Sequence, residues 1–264
     1  MVQAYPPEPH RLACGSSQFN PSDFYEDIYS NNGDIIYLNQ DYLLTDSFEL
    51  IKLGGIHELQ HLMNFSNDVY KQKDYAMPAW INEGLSMLTE YLSGDDYAKE
   101  MAWEFSASGL AASGEKSLIE FNNESVDYGQ SLLFIQYLRL RFGDKVIKGI
   151  YDSYANDGYQ IIEDATGVDF NTLYRDFCIM LMMTGRGLTT DPRYEIPAFS
   201  ASPGDPDYTG INIRKLIDDC IPGTSPSLTD HRMDPYSFVL VPWNGNVTEI
   251  EYENTGAELS CFTL

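Results

Sequence analysis

Apolar residues recur at helical spacing through the middle of the chain, from about residue 46 to residue 184. A first helix is predicted from Asp46, which can act as N-cap with Glu49 in the reciprocal position of a capping box. The same periodicity predicts later helices over 78–94, 95–108, 128–142, 144–155 and 169–184. Pro78 suits the start of its helix and Gly94 its end. The middle of the chain is therefore predicted to be a helical body.

The two ends of the chain follow other patterns. Four prolines before residue 22 disfavour long helices there, and the turn signal at 31–33 precedes a predicted strand over 34–39. Residues 187–230 hold six prolines and predict a linker, and the β-formers of 237–252 predict a hairpin. We therefore predict an α+β fold with a short N-terminal β element, a mainly helical body and a small C-terminal β segment. Its parts would be a domain over 1–186, the linker over 187–230 and the β segment over 231–264.

The composition limits the classes of partner. The 264 residues include 40 acidic and 16 basic side chains, which gives a formal charge of −24. That sign disfavours nucleic acids, because a phosphate backbone binds clustered Lys and Arg. No stretch reaches the roughly 20 apolar residues of a membrane span, and a content of 43% hydrophobic residues predicts a folded core. The sequence as given has no leader pattern.

Cysteines and acidic residues allow further sites. Four cysteines permit three disulfide pairings and favour an exported protein; they are Cys14, Cys178, Cys220 and Cys261. Cys178, within an apolar helix, is expected to be a buried thiol. The segments 205–207 and 218–219 could supply oxygens to Ca²⁺. No twelve-residue calcium loop is present, so a solvated acidic surface is the favoured explanation of the acidic surplus.

The chemistry of the chain is concentrated in His57-Glu58-Leu59-Gln60-His61. On a helix, positions i and i+4 share a face, so both imidazoles can bind one metal ion. Glu58 is next to them, where its carboxylate can activate a metal-bound water. The alternative is a surface helix with two solvated histidines. The apolar residues that flank the motif argue against it.

A catalytic zinc site needs a third protein ligand and an open position for water. Glu83 is the favoured candidate, because it lies 22 residues after His61 on the next predicted helix, after a connection long enough to turn back. His231 and His10 are possible by residue type, but both lie in Pro-rich stretches.

These motifs resemble those of the gluzincin zinc metallopeptidases. A helix with His-Glu-x-x-His followed by a helix with Asn-Glu-Gly is their shared pattern, and Trp80-Ile-Asn-Glu-Gly-Leu85 is similar to the aminopeptidase branch. The longer context is closest to the hyicolysin family of secreted bacterial metallopeptidases. That context includes Gly33-Asp-Ile-Ile-Tyr-Leu-Asn39, the motif helix as far as Phe65, and Tyr128-Gly129 at the opening of a later helix. The resemblance covers about residues 24–184 and implies a zincin-like catalytic domain.

The resemblance implies a role for each matching residue. His57, His61 and Glu83 would bind zinc, and Glu58 would carry a proton from the attacking water to the leaving amine. Asn82 would help to orient a ligand histidine.

Glu90 would serve the same outer layer of the site. Thermolysin-like members place an acidic residue four positions after the glutamate ligand, whereas this chain has Met87 there. Tyr128 would stabilise the oxyanion of the tetrahedral intermediate. Tyr151 and Tyr154 are alternatives that resemble packing residues. The predicted strand 34–39 would pair with an extended substrate.

We therefore expect a secreted or cell-surface zinc endopeptidase that acts on polypeptides. An aminopeptidase of the same clan is less favoured, because the Gly-x-Met-Glu-Asn string that holds the free amine of the substrate in those enzymes does not occur. An adhesin or other binding protein that keeps zinc but has lost turnover is a second alternative. A latent enzyme with a pro-region remnant before residue 20 is a third.

Overall fold

A computed structural model describes residues 36, 48–71, 73, 76–94, 96–105, 116–201, 204–206, 212, 214–215 and 235–238. Regular structure within these residues is helical. In chain order the helices are α1 (Phe48–Tyr70), α2 (Ala79–Leu92), α3 (Asp96–Glu104), α4 (Ser125–Phe142), α5 (Lys145–Asp152), α6 (Gly158–Thr166), α7 (Phe170–Met183) and α8 (Pro197–Ser200).

The prediction of an α+β fold is wrong for the described residues, which contain no strand. That prediction rested on two short runs of β-forming residues near the ends of the chain. Both runs lie outside the described residues except for Ile36, Ser237 and Phe238, none of which is in a strand. Within the described residues the core is built mainly by helix–helix packing, since the long stretches of helical periodicity bury their apolar faces against one another.

Most predicted helices of the body are confirmed to within a few residues. Pro78 precedes α2 as its N-cap residue, and the positive φ of Gly94 (93°) ends the helix in a conformation that glycine adopts without strain. Helix α4 begins three residues before the predicted residue 128, because Glu124 and Asp127 form a reciprocal capping box. Helix α6 was not predicted.

Helix α4 is the centre of the core and packs against α2, α3 and α5. Its side chains from Leu132 to Leu138 are almost completely buried. The aromatic rings of Trp80, Phe134 and Phe170 have centroids 5.7–6.0 Å apart, within the range of favourable edge-to-face contacts. This packing joins α2 to α4 and α7.

Two glycines allow close approach to α4. A Cβ on Gly84 of α2 would lie 2.8 Å from Ile135 Cγ1 and 3.0 Å from the Ser131 carbonyl oxygen. A Cβ on Gly129 would overlap the carbonyl oxygen of Met101 in α3. The two glycines therefore fix how closely α2 and α3 lie against the central helix.

Part of the segment predicted as linker packs on the helical body. Ile196 and Phe199 are buried in the same core as the helices, and Thr184 and Ile196 exchange hydrogen bonds of 3.2 Å. Further on, the amide of Leu118 donates to the Tyr236 carbonyl at 3.0 Å. The division into domains stays a prediction, but these two short segments belong to the helical core.

None of the helices in the described residues combines the length and the apolarity that crossing a bilayer requires.

A matched pair of glycine substitutions tests the packing. Gly129→Ala is expected to lower the free energy of unfolding by about 1–3 kcal/mol or more, because α3 must move away from α4. Gly55→Ala is the control, since no described atom beyond the neighbouring turns of its own helix backbone lies within 4 Å of its Cβ position. It should raise stability by up to about 1 kcal/mol through helix propensity. Thermal and denaturant unfolding measure both, and equal effects would contradict the packing described.

Candidate metal centre

The candidate centre lies between α1 and α2, which run antiparallel. His57 contacts Glu90, and His61 contacts Ser86. The contacting residues therefore follow opposite orders along the two helices. The connection is held by Asp68, whose carboxylate accepts from the Met77 amide at 2.8 Å and lies 3.1 Å from the Lys73 ammonium. Buried pairs of this kind fix the path of the backbone between the helices.

Three ligand atoms converge from the two helices. His57 Nε2 and His61 Nε2 are 2.9 Å apart, and Glu83 Oε2 lies 3.2 Å from the first and 3.3 Å from the second. Ligands about 2.0–2.1 Å from a tetrahedral ion lie about 3.3 Å apart, and those around an octahedral ion about 3.0 Å apart. The three atoms therefore have the spacing of a metal-binding face, and this group could hold a metal ion.

The outer nitrogen of each histidine is held by a residue of α2. His57 Nδ1 lies 2.6 Å from Glu90 Oε1, and His61 Nδ1 lies 3.1 Å from Ser86 Oγ. Glu90 and Ser86 are buried. Partners of this kind fix the orientation of an imidazole and select the form in which its other nitrogen carries the lone pair. Both histidines can thus present Nε2 to one ion.

The electrostatics of the group favour a cation. Burial lowers the pKa of His57, but hydrogen bonds with the carboxylates of Glu83 and Glu90 outweigh burial and raise that pKa to about 10. Burial likewise raises the pKa of Glu83, but its hydrogen bonds with His57 and His61 lower it to about 2. Two carboxylates close to the histidines thus stabilise positive charge at the point where the ligand atoms meet.

The three candidate ligands are largely, but not completely, shielded from solvent. The side chains of His57, Glu83 and His61 are 12%, 18% and 21% exposed. Glu58 is half-buried and lies about 100° around the helix from His57. At about 100° per residue, Glu58 and Gln60 lie on opposite sides of the face that carries the two histidines. Gln60 contacts the polar network behind them, and Glu58 lies on the other side.

A buried polar network supports the back of the centre. Gln60 donates to the Tyr151 hydroxyl and, at 3.1 Å, to the Asn64 side chain. Asn64 donates in turn to Asn82 Oδ1, and Thr89 donates to Gln60 Oε1 at 3.3 Å. Asn82 therefore contacts Asn64, whereas a histidine was the expected partner. The bond joins α1 to α2 next to the candidate ligand Glu83, so it helps to fix the register of the two helices.

Tyr128 lies in the first turn of α4. Its ring centroid is 4.9 Å from that of Phe121, and its hydroxyl is 3.5 Å from Asn123 Oδ1. Both contacts are to the turn before α4, and neither involves the three candidate ligands. Tyr151 contacts Gln60 behind the histidines, and the Tyr154 ring, 71% exposed, lies 5.0 Å from the Lys71 ammonium.

Several predicted features lie outside the described residues. They are His10, His231, Cys14, Cys220, Cys261, Asp207, the 218–219 pair and the strand 34–39 apart from Ile36. Cys178 is a free thiol and only partly buried. Asp205 is exposed. Within the part of the chain that is described, His57, His61 and Glu83 are the one group of His, Cys, Asp or Glu placed to hold a metal.

Comparison of the chain with known protein families and with curated proteins gives no match.

Sequence reasoning missed Ser86, although a signal for it exists. Positions 83, 86 and 90 follow the i, i+3, i+7 spacing of a single helix face, and two of them were already candidates. Ser86 lies between the carboxylates of Glu83 and Glu90 on that face and therefore belongs to the same layer of contacts.

Removal of Glu83 tests the third ligand. Glu83→Ala is expected to lower zinc content from about one ion per chain to a small fraction, because two histidines alone leave the ion open to solvent. Metal analysis after dialysis against limiting zinc measures the loss. Glu120→Ala, at an exposed acid outside the group, is the control and should keep full occupancy. Unchanged zinc in the Glu83 variant would point to another third ligand such as His231.

Proposed function

We propose that this protein is a zinc-dependent endopeptidase of the gluzincin type, closest to the hyicolysin family, which cleaves polypeptides outside the cell. The observation that carries the proposal is the convergence of two Nε2 atoms and one carboxylate oxygen within 3.3 Å, with Glu58 on the same helix. The strings that resemble those families in α1 and α2 support the same conclusion. No nucleic acid is proposed as a partner, in view of the charge of −24.

Zinc is the metal proposed because of Glu58. Two histidines and one carboxylate also form the ligand set of non-haem iron(II) sites, and spacings of 2.9–3.3 Å suit either ion. Iron chemistry has no need of a carboxylate next to the first histidine. Hydrolysis does need one, since a general base must take a proton from water.

When bound, zinc would lower the pKa of a water and polarise the scissile carbonyl. Glu58 takes the proton of the attacking water and transfers it to the amine that leaves. His57 and His61 would present their Nε2 lone pairs to the ion, because Glu90 and Ser86 lie against their other nitrogens. Glu83 would be the third protein ligand and would supply negative charge to the ion.

Tyr128, in the first turn of α4 with its ring against Phe121, is the residue proposed to stabilise the oxyanion. Apo contacts of a catalytic group often tighten only when substrate binds.

The general base is tested by Glu58→Gln, which keeps the size of the side chain and removes its basicity. Cleavage should fall by about 10²–10⁴-fold, whereas zinc content should stay the same. Glu120→Gln at an exposed site is the matched control and should retain full activity. Substantial activity in the Glu58 variant would exclude the mechanism.

The class of peptidase is tested by digestion of a mixed peptide library, read by mass spectrometry with and without a zinc chelator. Internal cuts that the chelator abolishes are expected, because the amine-binding string of aminopeptidases is missing. Stepwise trimming from the N-terminus would move the protein to the aminopeptidase branch. An absence of products from zinc-loaded protein would favour the zinc-containing binding protein or the latent enzyme.

A further inference from the structure

Ser86 is a fully buried hydroxyl next to the candidate ligands. Its Oγ lies 3.1 Å from His61 Nδ1. Burial of a hydroxyl without a hydrogen bond costs free energy. The His61 imidazole is the hydrogen-bond partner described for the Ser86 hydroxyl.

The two histidines are held by different chemical groups. His57 Nδ1 faces the carboxylate of Glu90 at 2.6 Å, whereas His61 Nδ1 faces a neutral hydroxyl. A carboxylate can only accept a proton from the imidazole and so selects one tautomer by charge. A hydroxyl can accept or donate, so it selects the tautomer only together with a metal at Nε2.

From this difference we infer that Ser86 is a positioning residue for metal binding. It accepts the Nδ1 proton of His61, keeps the Nε2 lone pair on the metal side and fixes the rotation of the ring. The inference rests on the metal-binding part of the proposed function. The positioning hydroxyl, Ser86, lies three residues after the candidate carboxylate ligand Glu83.

The chain offers a close control for Ser86. Ser131 of α4 is also a buried serine, 1% exposed, and its hydroxyl has no hydrogen-bond partner within the described residues. Ser86→Ala and Ser131→Ala therefore remove the same atom from similar surroundings. Only the first removes a partner of a candidate ligand.

The first measurement is zinc affinity by competition with a chelating dye. Ser86→Ala should weaken affinity by about 10–100-fold, the usual effect of losing a group that holds a ligand histidine, and Ser131→Ala should leave it unchanged. Ser86→Thr keeps the hydroxyl and should restore most of the loss. Equal affinities for the Ser86→Ala and Ser131→Ala proteins would overturn the inference.

The second measurement is nitrogen-15 NMR of histidine-labelled, zinc-loaded protein. His61 should show a protonated Nδ1 whose hydrogen exchanges slowly with water, and exchange should become at least tenfold faster in Ser86→Ala. A merely structural role of Ser86 would leave this exchange unchanged, and that result would also overturn the inference. If Ser86→Ala does not fold, the size-matched Ser86→Cys, a weak hydrogen-bonding group, takes its place in both measurements.

Neither measurement depends on turnover. A protein that binds zinc in a Ser86-dependent manner but cleaves no peptide would retain the inference and refute the proposed peptidase. A protein that cleaves peptides with unchanged zinc affinity in Ser86→Ala would do the reverse.

Discussion

The antiparallel packing of α1 against α2 brings ligand atoms from two separate helices within 3.3 Å of one another. One face of α2 supplies Glu83, Ser86 and Glu90, and all three lie against the histidines of α1. A rotation of either helix by one residue, about 100°, would direct these side chains away from the histidines. The register of the two helices is therefore the constraint on which the centre depends.

Contacts outside the candidate ligands also help to fix this register. The Asn64–Asn82 contact and the bond from Thr89 to Gln60 tie α1 to α2 behind the histidines. Gln60 also donates to Tyr151 of α5, which anchors α1 to a third helix. Gly84 lets α2 approach α4 closely, so the helix that carries the carboxylates is held by the core. A group preformed in this way could hold an ion with little reorganisation, and a ligand that binds only the folded state adds to its stability.

The sequence predicted the parts of this arrangement that depend on local pattern. His57 and His61 are one helical turn apart, and Pro78 and Gly94 bracket the helix of Glu83, so both helices could be found from periodicity and end signals. Helix α6 was not predicted because its nine residues include only two buried apolar side chains, Ile161 and Ile162. Two positions are too few to show a helical period.

The α+β prediction, which is wrong for the described residues, rested on a weaker signal. Short runs of β-forming residues have no fixed meaning without a partner strand, and sequence alone cannot supply that partner. Ser86 was missed because its importance depends on which face of α2 meets α1, a tertiary fact. The same limit applies to Phe199, since a Pro-rich segment can still bury one aromatic side chain.

The return of residues 235–238 to the helical body affects the order in which the molecule can be completed during synthesis. The Tyr236 ring packs against Tyr159, Phe170 and Tyr174 with centroids 5.0–5.4 Å apart. A ribosome delivers α1 and α2 long before it delivers Tyr236, so a nascent chain can gather its metal ligands while this aromatic surface is still uncovered. Exposed aromatic surface on a partly folded chain favours aggregation. The ring of Tyr236 therefore completes the aromatic cluster only late in synthesis, after the helices that it covers have been made.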